Sequence, residues 1–190
     1  LLLVSDRPNQ FLCHYFESAA LHGLSPTVLG WDDSGWASGD RKPWTYYLGG
    51  KLVLPLDYLE RCGYPDDALV LFTDHDVVFQ GGYAELKQRY AKAVAAAAGA
   101  PLIFSAEKES YPRELQGLYP RTPSDPSRGP AEYLNSGMWM GPVGAAKALL
   151  RVMTGVYKGE SMERLLRHYH FWGRLDTRRD PIPPAYNEND

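Results

Sequence analysis

The chain has 190 residues, with 20 Lys plus Arg set against 23 Asp plus Glu, a formal net charge of −3 and 44% hydrophobic residues. This balance offers no basic footprint for a phosphate backbone, which argues against a nucleic-acid or anionic-membrane partner. The longest apolar runs, Leu69–Phe72 and Ala93–Ala98, fall far short of the ~20 residues of a membrane span. The length suits one globular domain. Because the chain opens on an apolar run at Leu1 and stops at Asp190 within an acidic stretch, it is expected to be part of something larger, truncated at its C-terminal end. The two cysteines, Cys13 and Cys62, lack metal-type spacing and are expected to be unpaired, buried thiols, a single bridge between them being the alternative.

In chain order, Leu1–Ser5 is an apolar strand. Arg7-Pro8-Asn9 then opens a helix whose apolar residues Phe11, Tyr15, Ala19 and Leu21 recur at helical spacing. Pro26–Leu29 reads as a second strand and Gly30–Pro43, with its glycines and tryptophans, as a loop. A helix is predicted over Thr45–Cys62, with Leu48, Leu52, Leu56 and Leu59 on one face and Pro55 as a point of kinking or division. Ala68–Thr73 is a nearly continuous apolar run, the pattern of a parallel strand buried on both faces, and it ends at Asp74-His75-Asp76. An Ala-rich helix over Tyr83–Ala98 follows, then a strand over Pro101–Ala106 ending at Glu107. Lys108–Pro130 is a proline-rich excursion. Asn135-Ser136-Gly137 is a polar interruption between the short apolar pieces Tyr133-Leu134 and Met138–Met140. Helices are predicted over Pro142–Val156 and Glu160–Phe171. This alternation predicts a single α/β domain with a mainly parallel sheet flanked by helices, and ligands of such sheets lie beyond the carboxyl ends of the strands.

Ser5-Asp6, Asp74-His75-Asp76 and Glu107 all fall at such ends. Two adjacent carboxylates repel unless a cation neutralises them, and carboxylates suit hard ions such as Mg²⁺ or Mn²⁺. The bland alternative for Asp74 and Asp76 is a solvated turn. Lys51, after Gly49-Gly50, could aim its ammonium at a phosphate or simply be a solvated lysine. Trp31, Trp36 and Trp44 could stack on a base or sugar, or pin their loop to the core. Glu107 and Asp190 are candidates for acceptor activation or sugar binding, against the reading of ordinary surface carboxylates. No phosphate-loop, dinucleotide-binding, nucleophile-elbow or zinc signature occurs in the sequence, which disfavours the corresponding enzyme classes.

In order and spacing, LLLVS, the helix with Arg7 and Phe11, the loop with Trp31 and Trp36, Gly49-Gly50-Lys51 and LVLFTDHDVVF at Leu69–Phe79 resemble one known family. The likeness continues through IFSAEKESYP at Ile103–Pro112, Tyr119-Pro120, YLNSGMWMG at Tyr133–Gly141 and the terminal YNEND. The family is the glycosyltransferase domain of multifunctional procollagen lysyl hydroxylases and related collagen-type glucosyl and galactosyl transferases. The resemblance implies a GT-A-like fold, a UDP-sugar donor with Mn²⁺, and transfer of glucose or galactose to a hydroxylated side chain or its glycan on a collagen-like acceptor. It implies residence in the secretory pathway. Under it Asp74 and Asp76 are metal and diphosphate ligands and Lys51 is a phosphate or sugar contact. Ser5, Asp6 and Trp36 lie near the uridine, while Glu107, Asn135 and Asp190 line the sugar and acceptor side. The family's acidic motif spaces its aspartates by two residues rather than one, which makes Asp76 the better match. Two other readings stand beside this one: a catalytically inactive sugar-nucleotide-binding module of the same fold, and a metal-dependent phosphohydrolase.

Overall fold

The computed structural model describes residues 1–5, 8–31, 44–109 and 133–154 of the chain. In these, strand β1 (Leu2–Val4) leads through helix α1 (Gln10–Leu21) to β2 (Thr27–Leu29), and α2 (Trp44–Arg61) leads to β3 (Leu69–Thr73). Helix α3 (Tyr83–Ala96), β4 (Ile103–Glu107), β5 (Tyr133–Pro142) and α4 (Val143–Thr154) follow. The expected helix at 160–171 lies outside the described residues, as does most of the loop at 30–43 and of the excursion at 108–130.

The strands form one sheet in the order β2-β1-β3-β5-β4. β1 pairs in parallel with both β2 and β3, whereas β5 runs antiparallel to both β3 and β4. Four strands therefore share one direction and β5 opposes them. The expected mainly parallel α/β sheet is present, with one antiparallel strand that apolar content could not reveal, because β5 alternates between half-buried and exposed residues along its first half.

Alternation along the strands sorts the core into two layers. Leu2, Val70 and Phe72 pack with Leu56 and Leu59 of α2 and with Val143, Ala146 and Leu150 of α4. Leu3 and Leu71 face the other way, toward Leu12, Tyr15 and Ala19 of α1 and Phe79. Phe72 and Trp139, directly opposite across β3 and β5, stack with ring centroids 5.4 Å apart. Such cross-strand aromatic pairs add about 0.5–1.5 kcal/mol beyond the area they bury.

Local signals explain the helix positions. The Asn9 side chain caps α1 by accepting from the backbone N–H groups of Phe11 at 3.0 Å and Leu12 at 3.2 Å. α2 runs unbroken past Pro55, which is fully buried, so the expected division of that helix does not occur. Packing of its Leu56 and Leu59 face against the sheet outweighs the lost hydrogen bond. The first turn of α4 is satisfied from outside the helix, Val143 N–H donating to Ala68 O at 2.8 Å and Gly144 N–H to Asp66 O at 2.9 Å. α3 buries no residue completely, and an apolar cavity of about 400 Å³ separates part of it from the sheet. The two cysteines are unpaired as expected, but both are exposed rather than buried: Cys13 lies on the outer side of α1 and Cys62 just beyond α2.

Candidate active site

β1 is followed by α1 on one layer, and β2 by α2 on the other, so the chain leaves the carboxyl ends of neighbouring β1 and β2 toward opposite sides of the sheet, while the segment after β3 runs on the α1 side through Phe79. Ser5 stands at the end of β1, 7% exposed, its N–H donating to Leu29 O at 3.0 Å and so prolonging the β1–β2 ladder. Asp74 stands at the end of β3, one residue past buried Thr73.

Asp74 is held from three directions. Its backbone N–H donates to Gly137 O at 2.6 Å. Its Oδ2 accepts from Lys51 Nζ at 2.6 Å, with the two side chains only 24% and 23% exposed. The third constraint is steric: a Cβ built on Gly137 would lie 2.7 Å from Asp74 Oδ2 and 2.8 Å from Asn135 Oδ1. Only glycine leaves room there. Lys51 sits within α2, inside the helix predicted over Thr45–Cys62, so a rigid element aims its ammonium at the strand end.

The polar Asn135-Ser136-Gly137 does not separate two strands. It forms an irregularity inside β5: Phe104 of β4 pairs with Trp139, but the next residue, Ser105, pairs with Asn135, leaving residues 136–138 of β5 bulged. The Ser105 hydroxyl spans this bulge, lying 3.2 Å from Met138 O and 3.4 Å from Asn135 O. Within it, Gly137 N–H donates to Asn135 Oδ1 at 2.6 Å, and Asn135 Nδ2 donates to Glu107 Oε2 at 3.3 Å. A continuous polar string therefore runs from Lys51 through Asp74, Gly137 and Asn135 to Glu107. It joins α2 to three strands at one edge of the sheet. Glu107 is the last residue of β4 rather than the residue after it.

A buried network fixes β3 from the α1 side. Tyr15 hydroxyl and Thr73 Oγ1 are 2.8 Å apart, Ser18 Oγ donates to Tyr15 O at 3.0 Å, and Phe79 N–H donates to Ser18 Oγ at 3.1 Å. Burial pushes the Tyr15 phenol up to about 12, the Thr73 hydrogen bond partly opposing that shift. Between Thr73 and Phe79 the chain turns through His75, whose ring lies 5.9 Å from that of Phe11 on α1. Asp76 is exposed on this turn.

Of the residues singled out by the sequence, Lys51, Asp74, Asn135 and Glu107 are brought together by direct contacts. Ser5 ends the strand next to β3, and Asp76 lies two residues past Asp74. Asp6, Trp36 and Asp190 lie outside the described residues. Trp31 is described and is 44% exposed beyond β2. Gly137, Ser105, Thr73, Tyr15 and Ser18 were not identified from sequence. A glycine in a polar gap inside an apolar strand was the available signal for the first, and nothing local marked the others.

Among the described residues, no group of three or more His, Cys, Asp or Glu is arranged to hold a metal ion. Asp74 and Asp76 nevertheless supply two hard carboxylate donors, a set that suits Mg²⁺ or Mn²⁺ when substrate phosphates and water complete the coordination. No helix among the described residues is long and apolar enough to cross a membrane.

A search of curated proteins finds no match to the chain. Residues 1–161 match the family model of the PLOD GT domain. That stretch includes both strand-end carboxylates, the bulge and Lys51, and the five-stranded α/β sheet is of the GT-A-like kind. The chain belongs to the PLOD GT domain family, and is a glycosyltransferase domain.

Proposed function

We propose that this domain uses Mn²⁺ to transfer a hexose, glucose or galactose, from a UDP-sugar to a hydroxylated side chain or its glycan, with a collagen-like polypeptide as acceptor in the lumen of the secretory pathway. The observation that carries this reading is the polar string Lys51–Asp74–Gly137–Asn135–Glu107 at the carboxyl edge of the sheet in a chain of this family. Asp74 and Asp76 would hold the cation, which when bound offsets the charge that develops on the departing diphosphate. Lys51 supplies a further positive charge on the same side. Asn135, bonded at once to Gly137 and Glu107, orients the Glu107 carboxylate, which faces the acceptor hydroxyl and takes its proton. Ser5, Asp6 and Trp36 receive the uridine, and Asp190 joins the sugar side.

The test is UDP release from UDP-glucose, UDP-galactose and UDP-xylose with and without Mn²⁺. Turnover is expected only with the cation and a hexose donor, and Asp76→Asn is expected to lower it about 100-fold or more while leaving the melting temperature unchanged. Undiminished turnover in excess chelator would contradict the proposal. A second reading, an inactive sugar-nucleotide-binding module, draws on the Lys51 ammonium already neutralising Asp74. Calorimetry separates the two: UDP and Mn²⁺ binding by the folded protein with no sugar released favours the module. Release of inorganic phosphate would instead identify a phosphohydrolase.

A further inference from the structure

We propose that Lys51 makes cation binding at Asp74 conditional on a diphosphate: its ammonium occupies the Asp74 carboxylate when the site is empty and transfers to the diphosphate when nucleotide and cation arrive together. This rests on the reading of Asp74 as a cation ligand.

Lys51 Nζ lies 2.6 Å from Asp74 Oδ2 and both side chains are about three-quarters covered. An ion pair so covered is costly to break by withdrawing one partner, because the other charge is left uncompensated in a poorly solvated place. The two backbones are not free to draw apart, so only the ammonium at the end of its flexible stem can change partner. Lys51 projects from the middle of an eighteen-residue helix whose following residues Leu56 and Leu59 are locked in the core. Asp74 is pinned by its backbone bond to Gly137.

Charge decides what can join them. Asp74 and Asp76 against Lys51 leave one net negative charge. A divalent cation added alone reverses this to one net positive charge, and does so with an ammonium already seated on one of the ion's carboxylate oxygens. A diphosphate entering with the cation restores a net negative charge and offers the ammonium new oxygen acceptors. Cation and diphosphate therefore bind with positive coupling, and by linkage each raises the affinity of the other by the same factor. Lys51 adds to this coupling at the carboxylate, beyond the direct attraction of cation for diphosphate.

The test titrates the intact chain with Mn²⁺, by calorimetry and by the paramagnetic resonance of free Mn²⁺, with and without saturating UDP. In the wild type UDP is expected to tighten Mn²⁺ at least tenfold. Lys51→Met, which keeps the apolar stem, is expected to bind Mn²⁺ alone about tenfold more tightly than the wild type and to lose most of the UDP effect. Lys51→Arg is expected to retain the wild-type pattern. Circular dichroism confirms that each variant is folded. If Lys51→Met binds Mn²⁺ alone no more tightly than the wild type, or keeps the full UDP effect, the inference is overturned while the wild-type coupling still supports a Mn²⁺-dependent site. If the wild type binds Mn²⁺ equally well with and without UDP, the inference falls on that measurement alone, whatever the variant does. If no Mn²⁺ binds even with UDP, both the inference and the proposed cation chemistry fall.

Discussion

Gly137 is where a single hydrogen atom in place of a side chain determines the site. Its N–H and C=O are both committed, to Asn135 Oδ1 and to Asp74 N–H, and its missing Cβ is the space that the Asp74 carboxylate approaches. Gly137→Ala would push a methyl group to 2.7 Å from Asp74 Oδ2, so either the carboxylate swings off Lys51 or the bulge shifts. Overpacking of this kind costs about 1–3 kcal/mol. The variant is expected to lose that much stability in denaturant melts and at least tenfold in UDP affinity by calorimetry; wild-type values for both would show that the close approach is inconsequential. Asp74 and Glu107 could be picked out from sequence because charge at the end of an apolar run is a local pattern. Gly137 could not, since its importance comes from Asp74, 63 positions away in the chain.

Among the elements, α1 and β3 are joined by the buried Tyr15–Thr73 hydrogen bond, and this element pair places the residue just before Asp74. Tyr15→Phe keeps the ring and its edge contact with Phe79 at 5.2 Å but leaves the fully buried Thr73 hydroxyl without that partner. A loss of about 1–2 kcal/mol at neutral pH is expected. The pH dependence has a definite sign. The folded phenol is held up to about 12 from an ordinary value of 10.0, so the folded state keeps a proton that the unfolded chain releases. That contribution is complete below pH 10 and is lost as the pH rises from 10 toward 12. Wild-type stability is expected to fall more steeply than that of Tyr15→Phe across this window, by at most about 1.4 kcal/mol per pH unit. Equal slopes in urea melts at pH 9, 10 and 11 would refute this. The helices were readable because their apolar spacing and caps lie within a few residues, as with Asn9 before α1. The unbroken course of α2 through Pro55 was not, because what overrides the proline is packing against β1 and α4.

For the whole molecule, the site draws on α2 and on the edge formed by β1, β3, β4 and β5, so a ligand bridging these elements stabilises the folded chain as a unit. Mn²⁺ and UDP together, each at about 100 times its dissociation constant, are expected to add roughly 5 kcal/mol or more and raise the melting temperature by several degrees. Either alone is expected to shift it less than its share, and chelator should return it to the starting value. No shift with both present would refute a shared site. Composition and apolar periodicity by themselves determined the α/β class, the order of strands and helices as far as β4, and the carboxylates at strand ends, because each of these is written in neighbouring residues. Tertiary structure alone decided that β5 runs against β3 and β4, that residues 136–138 bulge, and that Lys51 of α2 meets Asp74 of β3. Pairing direction and register depend on which distant segments close on one another, and no stretch of neighbouring residues carries that information.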